Sequence, residues 1–319
     1  MKKLTMIIPC LNERGVLPAY YREMKRIRKE LPVWMELLFV DDGSRDGTDS
    51  YIKKLAEKDP EVQYLLLTRN FGKEAAMYAG FCQADGDYIG VMDADLQDPP
   101  SLLPRMLRLL EEGNCDCVAV RREDREGEGF IRSLLSGGFY HLYNALTGMS
   151  LPEGTRDYRL MTREVKQAVT RVKDRTRFTK GLFEWLGFRV IYLPCRNTPR
   201  RKGKTKWSLH ALYRYALDGI MCGLEELPFP SLFSGTLLIL TAVARGLAGA
   251  FGAGHMGEKP SGSKKPGDFT WLLLLSDGLK HFTLGFQTLL LFNTYKETRR
   301  RPVYILRESS LQKKQTSPR

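Results

Sequence analysis

Two carboxylates one residue apart, Asp93 and Asp95, are the part of the sequence with the most definite chemistry. They follow an apolar run at residues 88–92 that is typical of a buried strand, and alternation along an extended chain lets both face the same side. Mg²⁺ is commonly held by one or two carboxylates together with substrate phosphates. Solvated loop acids are the commoner meaning of such a pair, but its place at a strand end favours a metal site shared with a diphosphate.

A second acidic segment, DDGSRDGT at residues 41–48, follows another apolar run at residues 37–40. Its glycines permit a tight turn, and Asp41 and Asp42 could accept hydrogen bonds from a nucleobase N–H and from ribose hydroxyls. The segment could also begin a helix with Asp46 or Thr48 as its N-cap, and both interpretations can hold at once. Neither a P-loop motif nor G-x-G-x-x-G after a strand occurs, which disfavours a phosphate-cradling P-loop and a dinucleotide fold.

The elements that must position these groups alternate along the first 120 residues. Runs typical of strands lie at 4–9, 37–40, 62–67, 88–92 and 117–120, and helical patterns lie near 16–30, 47–58, 73–83 and 101–112. This alternation predicts an α/β fold with a mostly parallel sheet covered on both faces. Polar clusters follow four strands, at 9–13, 41–44, 68–73 and 93–95. Ligands bind outside the carboxyl ends of such strands, so we expect these clusters to form one site.

The charge of the chain is concentrated in two places. The 319 residues carry 50 basic and 37 acidic side chains, a net charge of +13, and 43% hydrophobic residues rule out a disordered chain. Residues 187–217 hold eight Lys or Arg and no acid, and residues 296–319 hold eight basic and two acidic residues. These segments predict an anionic partner such as phosphate or lipid headgroups. Six cysteines without a C-x-x-C pair indicate reduced thiols in a cytosolic compartment.

The C-terminal part is apolar and interrupted by charges. Residues 206–226 have the spacing of an amphipathic helix, which either lies in a membrane interface or packs on its own domain. Apolar stretches at 229–254 and 269–292 are long enough to span a bilayer, although Arg245, Asp277 and Lys280 interrupt them. A transmembrane hairpin is favoured over a buried soluble one. A row of small residues around Gly246 predicts helix association into a homo-oligomer such as a tetramer.

Several motifs together resemble glycosyltransferase family 2, and more narrowly its polyprenyl-phosphate sugar transferases, the bactoprenol glucosyltransferases and dolichol-phosphate mannose synthases. The resemblance rests on the segments IPCLNE at 8–13, VDDGSRDGT at 40–48, RNFGKEAA at 69–76 and MDADLQDPP at 92–100. It continues in RDYRLM at 156–161, in Arg177-Phe178 with Gly181-Leu182-Phe183, in GKTKWS at 203–208 and in RPVYI at 301–305. One departure is Arg156, which stands where a glycine is commoner.

The resemblance implies a GT-A, Rossmann-like fold and inverting hexose transfer from a nucleotide-diphosphate sugar to a polyprenyl phosphate. UDP-glucose or UDP-GlcNAc is the expected donor, and Mg²⁺ or Mn²⁺ the expected cofactor, carried by Asp93 and Asp95. The implied donor site consists of Pro9, Asn12, Glu13, Asp41, Asp42, Lys73, Asp93, Ala94, Asp95 and Gln97. The implied boundaries are a catalytic domain at 1–226, with a nucleotide-sugar half at 1–120 and an acceptor half at 121–226, a membrane hairpin at 227–295 and a basic cytoplasmic tail at 296–319.

The chemistry of the expected acceptor also determines which catalytic groups are expected. A phosphate monoester is largely a dianion at neutral pH, so it needs cations to place it more than a base to deprotonate it. Arg132, Arg200 and Lys206 are expected to bind the acceptor phosphate or the donor diphosphate, although Arg132 could equally be a solvated helix charge. Asp157, Asp95 and Arg159 are the expected catalytic residues. Asp157 either acts as a base, orients Arg159 or the acceptor site, or only forms a structural ion pair.

Three other functions stay open at this point. The protein could be a family 2 transferase acting on a polysaccharide or a protein, or a mannose synthase using GDP-mannose. It could also be a non-catalytic module that binds nucleic acid or membrane through its basic segments, but no recognised nucleic-acid motif accompanies them. We expect an enzyme of glycan biosynthesis at the bacterial cytoplasmic membrane, with its catalytic domain in the cytoplasm and without a nucleic-acid partner.

Overall fold

The computed structural model describes residues 1–122, residues 137–195 apart from 139, 142, 146 and 176, and residues 270–311. The chain divides into two compact units, Met1–Gly223 with Arg301–Arg319 and Leu224–Arg300. The described strands, all in the first unit, are β1 (Lys3–Cys10), β2 (Trp34–Asp41), β3 (Val62–Leu67), β4 (Tyr88–Val91), β5 (Cys117–Arg122), β6 (Thr155–Thr162), β7 (Val190–Cys195) and β8 (Leu306–Ser309). Its helices are α1 (Leu17–Arg28), α2 (Thr48–Lys58), α3 (Lys73–Gln83), α4 (Leu103–Glu111), α5 (Arg163–Arg171) and α6 (Thr179–Trp185), and α7 (Thr270–Thr298) lies in the second unit.

The strands form one sheet in the order β7-β5-β6-β4-β1-β2-β3-β8. Strands β4, β1, β2 and β3 are parallel neighbours, so their carboxyl ends meet at one edge of the sheet. Strand β6 runs antiparallel to β4, with Val91 opposite Arg159. The beginning of β6 therefore lies at the edge where β4 ends, and this brings Asp157 to the loop that carries Asp93.

Alternation along β1 decides which residues reach each face of the sheet. Met6 and Ile8 belong to the core on one face, under helices α1 and α4. Ile7 belongs to the core on the other face, under α3. Because both faces of β1 are covered, its sequence is a nearly continuous apolar run rather than an alternating one.

The five strands and four helices predicted for the first 120 residues are confirmed, with ends that differ by a few residues. The sheet is more mixed than the alternation suggested, because β6 and β8 run antiparallel to their neighbours. These strands enter the sheet from distant parts of the chain. Repeated βαβ units, by contrast, impose parallel pairing only on consecutive strands.

Strand β8 is an element that the sequence analysis did not predict. It pairs antiparallel with β3 at the edge of the sheet, and Thr68 N–H donates to the Ile305 carbonyl at 3.0 Å just beyond it. The Tyr64 hydroxyl donates to Glu308 at 2.9 Å, and Tyr304 packs edge-on against Tyr78. The RPVYI motif thus leads into the edge strand of the sheet.

Helix α7 covers most of the second predicted apolar stretch as one continuous helix of 29 residues. No helix in the described part of the chain is long and apolar enough to cross a membrane, and the predicted transmembrane hairpin is not supported. Asp277, Lys280 and His281 interrupt the apolar run in the first half of α7. The other apolar stretch, the amphipathic helix at 206–226 and the row of small residues lie outside the described residues.

Candidate active site

The loops after β1 and β2 are joined by hydrogen bonds between backbone groups of one loop and side chains of the other. Asn12 N–H donates to Ser44 Oγ at 2.8 Å, and the Asn12 side-chain oxygen accepts from Arg45 N–H at 2.8 Å. Glu13 N–H donates to Thr48 Oγ1 at 2.9 Å. Asn12 has a φ of 52°, a left-handed conformation that asparagine tolerates better than most residues. We call residues 12–14 and 44–48 the hydrogen-bonded corner, and Pro9 leads into it at the end of β1, opposite Val40.

Asp41 ends β2 beside this corner. Its side chain is fully buried, and Oδ2 accepts from Ser44 N–H at 3.2 Å. Oδ1 is buried and has no hydrogen-bond partner among the described residues. Burial raises the pKa of Asp41 above its usual value. An orphaned carboxylate oxygen at this edge of the sheet is suited to accept an N–H or O–H group from a ligand.

Asp42 organises the neighbouring loop. Its two oxygens accept Phe71 N–H at 2.7 Å and Gly72 N–H at 2.9 Å. Burial raises its pKa to about 6, although these two backbone donors oppose the change. Gly43, with a φ of +70°, lets the loops approach closely, because a Cβ there would lie 2.5 Å from the Arg69 carbonyl carbon. Asp42 therefore holds the turn from which α3, and with it Lys73, begins.

Lys73 lies between two carboxylates, one in the loop after β4 and one on β6. Its Nζ is 2.7 Å from Asp93 Oδ2 and 2.5 Å from Asp157 Oδ2, and Lys180 Nζ is 4.0 Å from the other Asp157 oxygen. We call Lys73, Asp93, Asp157 and Lys180 the charge cluster. The Asp157 side chain is only 14% exposed, whereas Lys73 and Asp93 are about twice as accessible. The cluster is thus covered on the Asp157 side and open on the Asp93 side.

Attraction within the charge cluster keeps Lys73 and Asp157 ionised. Burial alone would lower the pKa of Lys73, but the attraction of Asp157 and Asp93 outweighs it, so this pKa lies above its usual value. Burial likewise would raise the pKa of Asp157, but Lys73 and Lys180 hold it well below its usual range. Asp157 is therefore a carboxylate at neutral pH with its charge already directed at Lys73.

The loop after β4 carries the predicted metal ligands. Asp93 and Asp95 are both partly exposed, Ala94 between them is buried, and Gln97 N–H donates to Asp95 Oδ1 at 3.1 Å. The described residues contain no group of three or more His, Cys, Asp or Glu arranged to hold a metal. The pair nevertheless fits a hard divalent cation, because Lys73 contacts one oxygen of Asp93 only. Such an ion would take its remaining ligands from water or a diphosphate.

Behind this loop lies a buried ion pair. Asp98 is 3% exposed, and its Oδ1 is 3.1 Å from Arg156 Nε. Burial raises the pKa of Asp98 to about 6, while the attraction of Arg156 opposes that rise. Arg156, noted in the sequence as a departure from the family pattern, thus has a partner in the loop of Asp93 and Asp95.

Arg159, predicted to be catalytic, lies in the interior of the fold. It is 2% exposed, its guanidinium is 3.9 Å from the centre of the Phe183 ring, and it donates to the Arg156 carbonyl at 3.3 Å. The same helix that carries Phe183 begins at Thr179, whose N–H donates to Glu74 at 3.2 Å. Arg159 therefore supports the start of β6 and packs it against α6.

The structure brings most of the predicted site residues to one edge of the sheet and adds some that the sequence did not suggest. The sequence analysis did not identify Lys180, Glu74 or the Asp98–Arg156 pair. The motif around Gly181 and Phe183 was the only sequence signal for α6, the helix that carries Lys180. Arg132, Arg200 and Lys206, predicted to bind phosphate groups, lie outside the described residues.

The chain is similar to known glycosyltransferases over nearly all of its length. The model of glycosyl transferase family 2 matches residues 5–169, which include both the hydrogen-bonded corner and Asp157. A prophage bactoprenol glucosyl transferase homolog of Escherichia coli (strain K12) is 30% identical over 308 residues, 96% of this chain and 98% of that protein. The bactoprenol glucosyl transferase of Shigella phage SfX is 35% identical over 218 residues, 68% of this chain and 71% of that protein.

Structural similarity extends to more distant proteins. A crystal structure of a mycobacterial protein is similar with a TM-score of 0.50 at 19% identity, over 71% of this chain and 76% of that chain, a likeness of fold alone. The family model, in contrast, covers more than half of this chain and every strand-end cluster identified in its sequence. These matches confirm the resemblance seen in the motifs, and the chain belongs to glycosyltransferase family 2 and is a glycosyltransferase.

Proposed function

We propose that the protein transfers a hexose, with inversion, from a UDP sugar to a polyprenyl phosphate such as undecaprenyl phosphate. Relatives that cover most of the chain are named bactoprenol glucosyl transferases, and bactoprenol is a polyprenyl lipid. The proposed donor is UDP-glucose or UDP-GlcNAc, and the fold is a GT-A domain. The observation that carries the proposal is the charge cluster, in which Lys73 joins the loop of the two aspartates to Asp157.

The hydrogen-bonded corner and Asp41 are the proposed nucleoside site. Loops that are already joined before the donor arrives lose little conformational freedom when they bind it. Asp41 Oδ1, buried without a partner among the described residues, is a suitable acceptor for a donor N–H group. Pro9, Glu13 and Asp42 shape this site, and Asp42 acts through the turn at Phe71 and Gly72.

Asp93 and Asp95 would hold the divalent cation, Mg²⁺ or Mn²⁺. Such an ion supplies positive charge to the diphosphate that leaves with the electron pair of the sugar–oxygen bond. Lys73 lies beside Asp93 and adds a fixed cation to the same region. Groups held in place before the reaction stabilise developing charge without having to reorganise.

The acceptor phosphate oxygen attacks the anomeric carbon as the bond to the leaving diphosphate breaks. No proton has to move in this step, because the phosphate monoester is already largely a dianion. Asp157 directs its charge at Lys73 and Lys180, which matches an orienting role better than that of a base. Because the acceptor is a lipid, the reaction is proposed to occur at the cytoplasmic face of the membrane.

The test is transfer of radiolabelled sugar into lipid. Purified full-length protein is incubated with undecaprenyl phosphate, Mg²⁺ or Mn²⁺ and each member of a panel that includes UDP-glucose, UDP-GlcNAc and GDP-mannose. Label is expected in the lipid extract with one UDP sugar, and only with metal. Asp95→Ala should lower the rate roughly 100-fold or more, in the range seen when a charge-stabilising group is removed. Asp85→Ala, at an exposed residue paired with Lys3, is the matched control and should stay active.

Other outcomes of this assay would replace parts of the proposal. Hydrolysis of a UDP sugar without lipid product would keep the donor site and point to a polysaccharide or protein acceptor. Label transferred from GDP-mannose alone would overturn the proposed donor. Equal rates for Asp95→Ala and Asp85→Ala would overturn the metal site at Asp93 and Asp95.

A further inference from the structure

The loop that carries Asp93 and Asp95 leaves the sheet where β4 ends. The last register pair between β4 and β6 joins Val91 to Arg159. Beyond that pair, Met92 N–H still donates to the Ile7 carbonyl of β1 at 3.1 Å, but residues 93–98 have no strand partner in the described part of the chain. Strand β6 continues to Thr155 alongside β5 after a register shift. Backbone pairing therefore holds β6 on both sides of Asp157, which lies within the register shift between Arg159 and Thr155, but it does not reach the two aspartates.

A side-chain contact spans this gap. Asp98 lies three residues after Asp95, and Arg156 directly precedes Asp157 on β6. Arg156 Nε is 3.1 Å from Asp98 Oδ1, and the exposed fractions of the two side chains are 21% and 4%. The contact is a charge–charge contact without hydrogen-bond geometry, because neither atom has a hydrogen-bond partner among the described residues. A buried carboxylate requires a partner, because an unpaired charge in this environment is strongly unfavourable. The pair consequently ties the end of the loop to the start of β6.

The backbone of the loop shows why such a contact is needed. Leu96, between Asp95 and Asp98, has a φ of 57°, in the left-handed region that residues with a branched side chain rarely adopt. Its side chain is nevertheless buried, at 7% exposed. Strained conformations of this kind persist when their surroundings determine them from several sides. Burial of Leu96 supplies one such constraint, and the Asp98–Arg156 contact supplies another.

We propose that Asp98 and Arg156 are positioning residues that hold Asp93 and Asp95 at a set distance from Asp157 across Lys73. This inference deepens the proposed function and rests on its metal site. Residues that contact the metal ligands rather than the metal hold those ligands in position, and their loss commonly weakens binding of the metal. The pair is then a part of the reaction machinery that contacts neither substrate.

The chain offers a matched control for this proposal. Arg28 forms a similarly buried ion pair with Asp59, at 3.0 Å, with exposed side-chain fractions of 14% and 11%. That pair joins the end of α1 to the segment before β3, away from the carboxyl ends of the strands. Removing Arg28 should destabilise the protein without changing the loop of Asp93 and Asp95.

The first readout is amide hydrogen exchange of the full-length protein, with Arg156→Met, Arg156→Lys and Arg28→Met compared with the wild type. Arg156→Met should speed exchange of peptides covering residues 94–98 more than exchange of the remaining sheet, and Arg156→Lys should restore most of the protection. Arg28→Met should leave these peptides unchanged relative to the sheet. The inference would be overturned if residues 94–98 kept their protection from exchange in Arg156→Met, or if they lost as much protection in Arg28→Met as in Arg156→Met.

The second readout is binding of Mn²⁺ in the presence of UDP, measured by titration calorimetry. Arg156→Met should weaken Mn²⁺ binding about 10- to 100-fold, while Arg28→Met binds as the wild type does. Wild-type affinity in Arg156→Met would overturn the positioning role. If the wild type binds no Mn²⁺ and transfers no sugar, but residues 94–98 lose protection in Arg156→Met, the proposed function has failed and the structural tie remains.

Discussion

The hydrogen-bonded corner and the charge cluster lie at the same edge of the sheet but are held by different forces. In the corner, four backbone N–H groups bind short polar side chains at 2.8–3.1 Å. In the charge cluster, one ammonium group joins two carboxylates that are 20 and 84 residues away in sequence. A neutral hydrogen bond contributes about 1 kcal/mol, whereas removing one partner of a buried ion pair costs about 3–5 kcal/mol.

The two regions should therefore tolerate substitution to different degrees. The corner divides its stabilisation among several weak and similar contacts, so losing one leaves the others in place. The charge cluster depends on Lys73, because Asp93 and Asp157 both contact it. We therefore expect large effects from single substitutions in the cluster and small ones in the corner.

Lys73→Met is expected to have the largest effect. It leaves the carboxylates of Asp93 and Asp157 without the cation between them, which should lower the free energy of unfolding by about 3 kcal/mol. Turnover should fall roughly 100-fold or more, because Lys73 is proposed to place a fixed charge beside the leaving group. Urea unfolding followed by tryptophan fluorescence and initial rates of sugar transfer measure the two effects.

Lys53→Met is the control for this substitution. Lys53 forms an ion pair with Glu308 at the protein surface, with exposed side-chain fractions of 36% and 28%. Such a pair contributes less than about 1 kcal/mol, and activity should not change. If the two variants proved equally stable and active, the contrast between cluster and surface would be wrong.

Asp42→Asn connects the two regions and tests the raised pKa. Asp42 has a pKa of about 6 in the folded protein, compared with the ordinary value of 3.8. Between these pH values Asp42 is deprotonated in the unfolded chain but still protonated in the folded protein. The free energy of unfolding of the wild type therefore falls as pH rises from about 4 to about 6, and above that pH it stays level. Over this interval the free energy of unfolding of the wild type, measured relative to that of Asp42→Asn, should fall by up to about 3 kcal/mol.

Asp59→Asn should show the opposite sign. Burial would raise the pKa of Asp59, but hydrogen bonds from Tyr21 and Glu61 and the charge of Arg28 lower it below its usual value. This carboxylate stabilises the folded protein above the unfolded pKa, and that contribution is lost as pH falls through the folded pKa. Urea unfolding of both variants at several pH values checks the signs, and parallel pH profiles for the two would contradict the prediction.

Ser44→Ala should weaken the hydrogen-bonded corner only slightly. Asn12 N–H loses its acceptor, which costs about 1 kcal/mol, while the bonds to Arg45 and Thr48 remain. The Michaelis constant for the donor should rise more than kcat falls, because the corner is proposed to bind the nucleoside. Steady-state kinetics measure the Michaelis constant and kcat separately. A loss of turnover as large as that of Lys73→Met would contradict the distinction between the hydrogen-bonded corner and the charge cluster.

Arg307→Gln is expected to have the smallest effect. Arg307 on β8 pairs with Asp49 at 2.9 Å, and 47% of its side chain is exposed. Removing a pair of this kind should change the free energy of unfolding by about 0.5 kcal/mol or less. Hydrogen exchange at Thr68 should stay slow, because the backbone ladder and not this ion pair attaches β8 to β3.

The sequence predicted the regular part of the fold and the strand-end clusters of the candidate site. Buried parallel strands require continuous apolar runs, and helices between them require 3.6-residue periodicity, so both are visible locally. The polar clusters after β1, β2, β3 and β4 could be assigned to one edge because parallel strands end together. Strand β8 was missed because four residues with partners about 240 positions away carry no local signal.

The order of strands and helices up to β5, and the family to which the chain belongs, can be inferred without the structure. The contacts of Asp157 with Lys73 and Lys180, and of Arg156 with Asp98, are visible only in the folded chain. These contacts depend on the antiparallel pairing of β6 with β4. Side-chain charges interact strongly only over a few ångströms. Residues that are distant in sequence come that close only once the sheet has formed.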